Sequence, residues 1–197
     1  MNTVHQNSAG ISAEKSSIRE LSLCAMFTVL IIVGAFIKIP VPVVPFTLQF
    51  LFTLLAGLLL GGRSGAAAVA LYAVLGLIGL PVFAEGGGIW YILKPSFGYI
   101  LGFIFGTYVT GKLTERVPFT FGRILLSAFA GLAIVYGVGM AYYYVICNYV
   151  IHTPIAFGTL FFYCFLLAVP GDICLCFLGT FLAKRLRTII HQMGGNS

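Results

Sequence analysis

The segment Leu80–Phe103 determines how this chain folds, and it reads LPVFAEGGGIWYILKPSFGYILGF. Pro81 and Pro95 interrupt any helix here, because proline lacks the backbone N–H that a helix interior needs. The run Gly86–Gly88 adopts positive φ freely and lets a ligand approach the backbone closely. In a membrane protein, irregular apolar backbone is tolerated only where it is buried in protein or lines a cavity. The segment therefore predicts either the floor or lid of a small-molecule site or a hydrophobic external loop that covers helix ends.

The composition is that of a polytopic membrane protein. Of the 197 residues, 60% are hydrophobic and only 8% are charged, whereas a soluble domain carries about 25% charged residues. The length accommodates about six spans of ~20 residues joined by short connections. Residues 1–16 carry no apolar core, so no cleavable signal peptide is expected there. We divide the chain into a polar tail over residues 1–16, one transmembrane domain over residues 17–190 and a C-terminal tail over residues 191–197.

The expected spans differ in length. The second and third hold only about 15–17 residues, or ~23–26 Å of helix, which falls short of a ~30 Å hydrocarbon core. Extended segments must therefore enter the membrane at the side away from the turn Gly61–Gly65, namely the proline-rich connection Lys38–Pro45 and the stretch Leu80–Phe97. The spans run about Leu21–Ile37, Phe46–Leu60, Ala66–Leu80, Ser96–Leu113, Ile124–Asn148 and Val169–Leu186.

Two further patterns refine this arrangement. Gly98, Gly102 and Gly106 are spaced by four and lie on one face of the fourth span, which predicts close packing against another helix. The apolar region Pro154–Ala183 is too long for one upright span. We expect its first part, Pro154–Leu167, to form a re-entrant or tilted helix on the side of the proline-rich connection.

The basic residues set the orientation. When the N-terminus is placed in the cytoplasm, only Lys38 and Lys94 fall on the outer side, which is a strong positive-inside bias. The distribution of the formal net charge of +6 is therefore explained by the orientation of the chain in the membrane. It does not indicate a nucleic-acid partner. The prediction is an all-α membrane protein with six transmembrane helices, an apolar re-entrant or extracellular loop between helices 3 and 4, and both termini in the cytoplasm. The inner side holds the other basic residues, Lys15, Arg19, Arg63, Lys112, Arg116, Arg123, Lys184, Arg185 and Arg187.

Asp172 is the only acidic residue inside a predicted span. An ionisable side chain within the membrane is a functional hypothesis by default, because burying a charge there is costly. Asp172 lies 12 residues before Lys184, or ~18 Å along a helix, which puts it in the outer half of the bilayer. Two interpretations remain open: Asp172 contacts a ligand, or it follows Pro170 as an acidic first-turn residue that only stabilises its own helix.

Other polar and aromatic residues are candidates for the same site. Lys94 suits an anionic ligand group arriving from outside, although a solvated loop lysine is the alternative. Glu85 precedes the glycine run and is placed to accept hydrogen bonds or to pair with Lys94. Gln49 is expected one turn into the second span, facing the bundle interior. The remaining candidates share aromatic, polar or glycine character and are Phe46, Phe83, Gly87, Tyr99, Tyr143 and Asn148.

The chain lacks the signatures of an ATPase or a hydrolase. Gly106–Lys112 matches GxxxxGK, but a phosphate-binding loop places Ser or Thr after the lysine, and here Leu113 follows inside a predicted span. If transport is driven by ATP, another subunit hydrolyses it. There is no HExxH, no GxSxG and no acid pair in the membrane. The five cysteines form no CxxC pair, so buried small apolar residues are expected rather than a metal site or a disulfide.

Several motifs together resemble one known family. Val44–Gln49 resembles the segment that opens the second span of the BioY family. Gly76–Ala84 with the following glycine run, Pro95–Phe103 and the Pro-Gly-Asp motif Pro170–Asp172 resemble further segments of that family. The resemblance covers about residues 20–187. Two positions depart from it: Leu175 stands where many members have lysine, and Glu85 stands where glycine is usual.

The resemblance implies a six-helix substrate-binding (S) component of an energy-coupling factor (ECF) transporter in the cytoplasmic membrane. Such a component captures biotin from outside and works with a transmembrane coupling subunit and two cytoplasmic ATPases. In the family the aspartate of the last span helps to bind the biotin head group, and we carry that role onto Asp172. Biotin is then the transported ligand and no cofactor is expected. Contact with the coupling subunit is expected through Cys24, Ala25 and Thr28.

Three other functions compete with this interpretation. In the first, the same architecture binds another vitamin, and only ligand binding separates that case from biotin. A membrane-embedded enzyme acting on lipids or peptides would lose turnover with Asp172→Asn, but the sequence supplies no second catalytic group. A stand-alone secondary transporter would work without any ATPase, and such folds often contain internal repeats, of which the halves of this chain give no convincing example.

Overall fold

The computed structural model describes residues 2–39, 46–116, 118–162 and 168–194. Within these residues the chain is helical, apart from a two-residue strand pair in which Lys38–Ile39 (β1) runs antiparallel to Phe46–Thr47 (β2). A 3-10 helix covers Ile89–Leu93, and a π-helical turn over Ile146–Val150 continues the fifth helix. The α-helices are α1 (Asn2–Phe36), α2 (Gln49–Leu60), α3 (Gly62–Leu77), α4 (Phe97–Glu115), α5 (Phe121–Val145), α6 (Phe157–Phe161) and α7 (Val169–Gly194).

Two segments of the described chain are helical, long and apolar enough to cross a membrane. They are Ile18–Phe36 in α1 and Phe121–Val150, which includes α5 and the π-helical turn. The second and third helices, α2 and α3, are apolar but short, with 12 and 16 residues. The predicted shortness of both helices is therefore confirmed.

The glycine stripe of α4 packs directly on α5. A Cβ atom added at Gly102 would lie 2.7 Å from the carbonyl oxygen of Val135, and one at Gly106 would lie 2.9 Å from that of Gly131. Real Cβ atoms do not approach backbone this closely, so only glycine allows the two helices to come together. The predicted close packing of this stripe is confirmed.

The turn between α2 and α3 is tighter than the predicted Gly61–Gly65. Gly61 alone breaks the helices, with φ of 86°, and α3 begins at the next residue. Glu115 at the end of α4 accepts hydrogen bonds from the Lys112 ammonium at 2.6 Å and from the Gly62 N–H at 2.8 Å. These bonds hold the pKa of Glu115 below its ordinary value. The carboxylate thus satisfies the first N–H of α3, which lets that helix start before the predicted Ala66.

Both terminal helices extend beyond the predicted spans. α1 begins at Asn2 rather than near Leu21, and α7 continues to Gly194 rather than ending at Leu186. The predicted polar tail over residues 2–16 is therefore helical. Hydropathy marks where a helix leaves an apolar environment, whereas backbone hydrogen bonds continue along the helix into water. For α1 and α7 the predicted spans were therefore too short as helices, whereas the predicted second span began too early, because Phe46–Thr47 is a strand and α2 begins at Gln49.

The segment Leu80–Phe103 is irregular up to the start of α4, as its prolines and glycines predict. Gly86 and Gly88 have φ of 113° and 104°. The N–H of Gly88 donates to the carbonyl of Gly76 at 2.7 Å, and the hydroxyl of Tyr142 donates to the carbonyl of Ile92 at 2.5 Å. These two bonds fasten the segment to α3 and to α5.

Two connections are only partly described. Lys38 and Ile39 are extended, as predicted for the proline-rich connection, while Pro40–Pro45 lie outside the described residues. In the predicted tilted helix Pro154–Leu167, only Phe157–Phe161 is α-helical, and residues 163–167 lie outside the described part of the chain.

Candidate functional site

A cavity lies among α2, α3, α4, α5 and α7, beside the irregular segment. Its empty space is about 730 Å³, a figure that includes open solvent at the mouth. Residues of β2 and of the irregular segment lie at the mouth, on the side of the bundle away from the α2–α3 turn. The lining residues are Thr47, Gln49, Phe50, Tyr72, Ala84, Glu85, Tyr91, Ser96, Tyr99, Ile100, Phe103, Val135, Tyr136, Ala168 and Asp172.

Asp172 provides the buried carboxylate of the cavity. It lies in the first turn of α7 and is 7% exposed. The hydroxyl of Tyr136 donates a hydrogen bond to its Oδ2 atom at 2.5 Å. A carboxylate offers about four lone-pair positions, so the bond from Tyr136 orients the group and leaves acceptor capacity for a ligand. Sequence reasoning identified Asp172 and missed Tyr136, since nothing local distinguishes that tyrosine from others in apolar helices.

Gln49 and Tyr72 form a second polar group on the cavity wall. Gln49, the first residue of α2, is 4% exposed, and Tyr72 of α3 is fully buried. The two side chains are neighbours. Among the described residues, neither the Gln49 Nε2 atom nor the Tyr72 hydroxyl makes a hydrogen bond of ordinary length and angle. The predicted inward orientation of Gln49 is present in the structure, and Tyr72 is a lining residue that the sequence did not single out.

Glu85 and Lys94 form an ion pair on the rim. The Lys94 ammonium lies 3.3 Å from the Glu85 carboxylate and also donates to the Glu85 carbonyl at 3.1 Å. Lys38 donates to the neighbouring carbonyl of Ala84 at 3.0 Å. The predicted pairing of Glu85 with Lys94 is therefore present. Glu85 lines the cavity, whereas Lys94 does not. The Lys94 ammonium lies beside Glu85 on the exposed rim.

Aromatic side chains line another part of the wall. The Tyr99 and Tyr136 rings pack edge to face with centroids 6.0 Å apart, and Phe50 and Phe103 stack at 6.4 Å. Of these, only Tyr99 was among the predicted site residues. Such surfaces accept an apolar ring or chain, while the few convergent polar groups fix its orientation.

Phe83 and Gly87 support the wall without lining it. Phe83 is 1% exposed and packs its ring on Tyr72 and Tyr91, with centroids 5.3 and 4.4 Å apart. A Cβ atom at Gly87 would collide with the carbonyl oxygen of Leu80, so packing requires glycine here. Neither residue lines the cavity, and the expectation that both contact the ligand stays a prediction.

The predicted polar edge at the end of α5 lies elsewhere. Asn148 donates to the carbonyls of Tyr144 and Ile155, at 3.0 and 3.4 Å, and so fastens the chain that follows the π-helical turn. Neither Asn148 nor Tyr143 lines the cavity. A π-helical turn shifts which side chains face inward, and the sequence did not reveal it. The backbone of Phe46 pairs with Ile39 beside the mouth, and its side chain lies outside the described part of the structure.

Two of the three predicted coupling residues serve internal packing. Thr28 is 2% exposed and donates to the carbonyl of Ala68 on α3 at 3.0 Å. Cys24 is half-buried and donates to the carbonyl of Ser64 at 3.3 Å. Ala25 is exposed. Small residues at these positions let α1 approach α3, and the expected contact with a coupling subunit stays a prediction.

The structure also excludes a phosphate-binding loop at Gly106–Lys112. All seven residues lie inside α4, whereas such a loop must precede a helix so that its backbone N–H groups can surround the phosphates. Within the described residues, no three His, Cys, Asp or Glu side chains are grouped to hold a metal ion.

Comparisons with known proteins agree with this geometry. The model of the BioY family matches residues 6–192. A protein of Lysinibacillus sphaericus named probable biotin transporter BioY is 42% identical over 180 residues, which cover 91% of this chain and 92% of that protein. The biotin transporter BioY of Thermotoga maritima is 43% identical over 136 residues, covering 68% of this chain and 78% of that protein.

A solved structure has the same fold. It is the crystal structure of the S-component for biotin from an ECF-type ABC transporter, and the alignment gives a TM-score of 0.75 at 30% identity. The match covers 88% of this chain and 93% of that one. The described residues thus form an all-helical protein of the S-component type, apart from the short strand pair. With the family model matched over most of its length, this chain belongs to the BioY family.

Proposed function

We propose that the chain captures biotin from outside the cell as the substrate-binding component of an ATP-driven ECF transporter in the cytoplasmic membrane. The observation that carries this proposal is the buried carboxylate of Asp172, which lines a cavity with convergent polar and aromatic residues in a chain of the BioY family. The names of its relatives support biotin as the ligand.

The chemistry of the cavity suits biotin. The ureido ring of biotin carries two N–H donors, and the Asp172 carboxylate, oriented by Tyr136, accepts hydrogen bonds. Bonds from N–H groups to a carboxylate are charge-assisted and stronger than neutral ones. The aromatic wall around Tyr99 suits the thiophane ring and the valerate chain. The ligand carboxylate then points to the mouth, where Lys38 and Lys94 lie.

Coupling and energy supply belong to partner subunits in this proposal. Two cytoplasmic ATPases hydrolyse the ATP and act through a transmembrane coupling subunit, in keeping with the ECF-type ABC transporter named for the matching solved structure. Of the predicted coupling residues, Ala25 remains a candidate contact, because it lies on the exposed face of α1. Biotin is the cargo, and we assign no cofactor.

The proposed topology has six crossing helices, α1 to α5 and α7, with both termini in the cytoplasm. The short helix α6 would lie at the outer side. The charges at the two ends of the bundle support this orientation. Arg63, Lys112 and Arg116 lie near the α2–α3 turn and the end of α4, while Lys38 and Lys94 lie at the mouth of the cavity, in keeping with the positive-inside rule.

Calorimetric titration of the purified protein with biotin tests the proposed function. We expect the parent chain to bind biotin and Asp172→Asn to bind it about 10- to 100-fold more weakly, because one charge-assisted hydrogen-bond acceptor is lost. Glu20→Gln is the matched control, since it removes an exposed carboxylate from α1, outside the cavity lining.

The outcomes separate ligand from site. Equal binding by the parent and by Asp172→Asn would keep biotin as the ligand and remove Asp172 from its site. A folded parent that binds no biotin would overturn the proposed function. Folding of each variant is checked by size-exclusion chromatography and thermal unfolding in the same detergent.

A further inference from the structure

We propose that Gln49 and Tyr72 form a donor pair that binds the carbonyl oxygen of the ureido ring. Asp172 would bind the N–H groups of the cyclic urea, and this pair would bind its oxygen. The inference rests on the proposed function, because it assigns a further contact to the same ligand in the same cavity.

Burial is the first observation that supports the pair. Gln49 is 4% exposed and Tyr72 is fully buried, yet both line the cavity that contains Asp172. Buried polar groups are nearly always hydrogen-bonded, and an unpaired one destabilises the protein. Among the described residues, the Gln49 Nε2 atom and the Tyr72 hydroxyl have no partner of ordinary geometry. A ligand acceptor in the cavity would satisfy them.

Gln49 and Tyr72 keep donor hydrogens for a ligand whichever of the two donates to the other. The Gln49 amide carries two N–H hydrogens and the Tyr72 hydroxyl carries one. The side chains are neighbours, and a hydrogen bond between them in either direction uses one hydrogen. At least two donor hydrogens therefore remain for an acceptor in the cavity. A carbonyl oxygen has two lone pairs and accepts two such bonds.

The pair is held in place before any ligand arrives. The Tyr72 ring packs edge to face on Phe83, with centroids 5.3 Å apart, and Phe83 packs in turn on Tyr91. The Phe83 ring also lies against Gly76, where any Cβ atom would collide with it. Gln49 is fixed at the start of α2, directly after β2 and Leu48. Groups held in their binding geometry lose little conformational entropy when the ligand binds.

Electrostatics distinguishes the ureido oxygen from the other acceptor of biotin, its carboxylate. The cavity already contains the Asp172 carboxylate, and two like charges repel strongly in a water-poor interior. Burying a carboxylate without a cation is costly. Lys38 and Lys94 lie at the mouth instead. A neutral carbonyl avoids both costs, so the donor pair selects the urea oxygen while the ligand carboxylate faces the rim.

The experiment measures binding of three ligands to Tyr72→Phe and Gln49→Met. The ligands are biotin, 2-iminobiotin and biotin amide. In 2-iminobiotin at neutral pH a protonated cyclic guanidinium replaces the urea, so an N–H donor stands where the acceptor oxygen was; in biotin amide an uncharged amide replaces the carboxylate. We expect each substitution to weaken biotin and biotin amide about 5- to 10-fold, the effect of one hydrogen bond. For 2-iminobiotin, which offers the pair no acceptor, we expect less than a twofold loss relative to the parent. Tyr108→Phe, an exposed tyrosine of α4, is the matched control and leaves all three ligands unaffected.

The outcomes distinguish a failure of the donor pair from a failure of the proposed biotin-binding function. Biotin binding by the parent that is unchanged in both variants would overturn the donor pair and leave the proposed function intact. Equal losses for biotin and 2-iminobiotin would do the same, as would a loss restricted to ligands with a free carboxylate. No biotin binding by the folded parent would overturn both. Gln49→Met keeps the inference testable if Tyr72→Phe does not fold.

Discussion

Lys94 and Glu85 partly neutralise one another at the rim of the cavity. Their charged atoms lie 3.3 Å apart, and both side chains are about half exposed, at 44% and 45%. Exposed ion pairs contribute little to stability, so the pair does not hold the rim closed. In the proposed function, Lys94 instead offers a positive charge to the ligand carboxylate at the mouth.

We predict that Lys94→Met weakens biotin binding about two- to fivefold at low salt, the effect of one exposed ion pair. The loss should shrink in high salt, since screening removes interactions between exposed charges. Biotin amide should bind the variant and the parent equally well, because it lacks the carboxylate. Calorimetry at two ionic strengths measures all three effects.

Lys112→Met is the matched control for this prediction. Lys112 pairs with Glu115 at 2.6 Å in a comparably exposed ion pair, but at the α2–α3 end of the bundle. The control should leave biotin affinity unchanged at either ionic strength. Equal effects of Lys94→Met on biotin and on biotin amide would contradict a role of Lys94 toward the carboxylate.

Single residues differ in how far the sequence predicts them. Asp172 and Gln49 stand out because polar side chains in apolar helices are rare, and both line the cavity. Tyr72 and Tyr136 do not stand out, because tyrosine is common throughout this chain and its direction depends on helix rotation. Asn148 lies in the π-helical turn and does not line the cavity. Sequence pattern thus identifies unusual chemistry, and packing decides which ordinary residues join it.

The seam between α4 and α5 connects helix packing to the cavity. Gly102 lies against the backbone of Val135, and the next residue, Tyr136, is the one that orients Asp172. We predict that Gly102→Ala destabilises the protein by about 1–3 kcal/mol, because its Cβ would lie 2.7 Å from a backbone carbonyl that cannot move aside. The melting temperature in detergent should fall, and biotin affinity should fall with it as Tyr136 shifts.

Gly137→Ala is the control for the seam. No atom would lie within 4 Å of a Cβ at this position of α5, so alanine should be neutral or stabilising by up to about 1 kcal/mol through its helix propensity. A melting temperature of Gly102→Ala that matches the parent would contradict the close contact between the two helices.

Helices and connections were predictable where the signal is local. The spacing of Gly98, Gly102 and Gly106 predicts the seam, and the prolines and glycines of Leu80–Phe103 predict its irregular backbone. The ends of α1 and α7 were not predictable from hydropathy, because both helices continue into polar sequence. The start of α3 at Gly62 depends on a hydrogen bond that the Gly62 N–H donates to Glu115, 53 positions away, which no local pattern reveals.

Across the whole molecule, the two ends of the bundle have different constructions. At one end, a tight turn at Gly61 is locked to α4 by Glu115. At the other, β2 and the irregular segment line the cavity, and β1 pairs with β2. A bundle that is tight at one end and open at the other suits a protein that takes up a ligand from one side of a membrane.

A structure determined with bound biotin tests the proposed site most directly. We expect the ureido ring within hydrogen-bonding distance of Asp172, with its oxygen toward Gln49 and Tyr72, and the carboxylate at the mouth near Lys94. Biotin bound outside this cavity would contradict the account, and so would biotin in the reverse orientation, with its carboxylate beside Asp172.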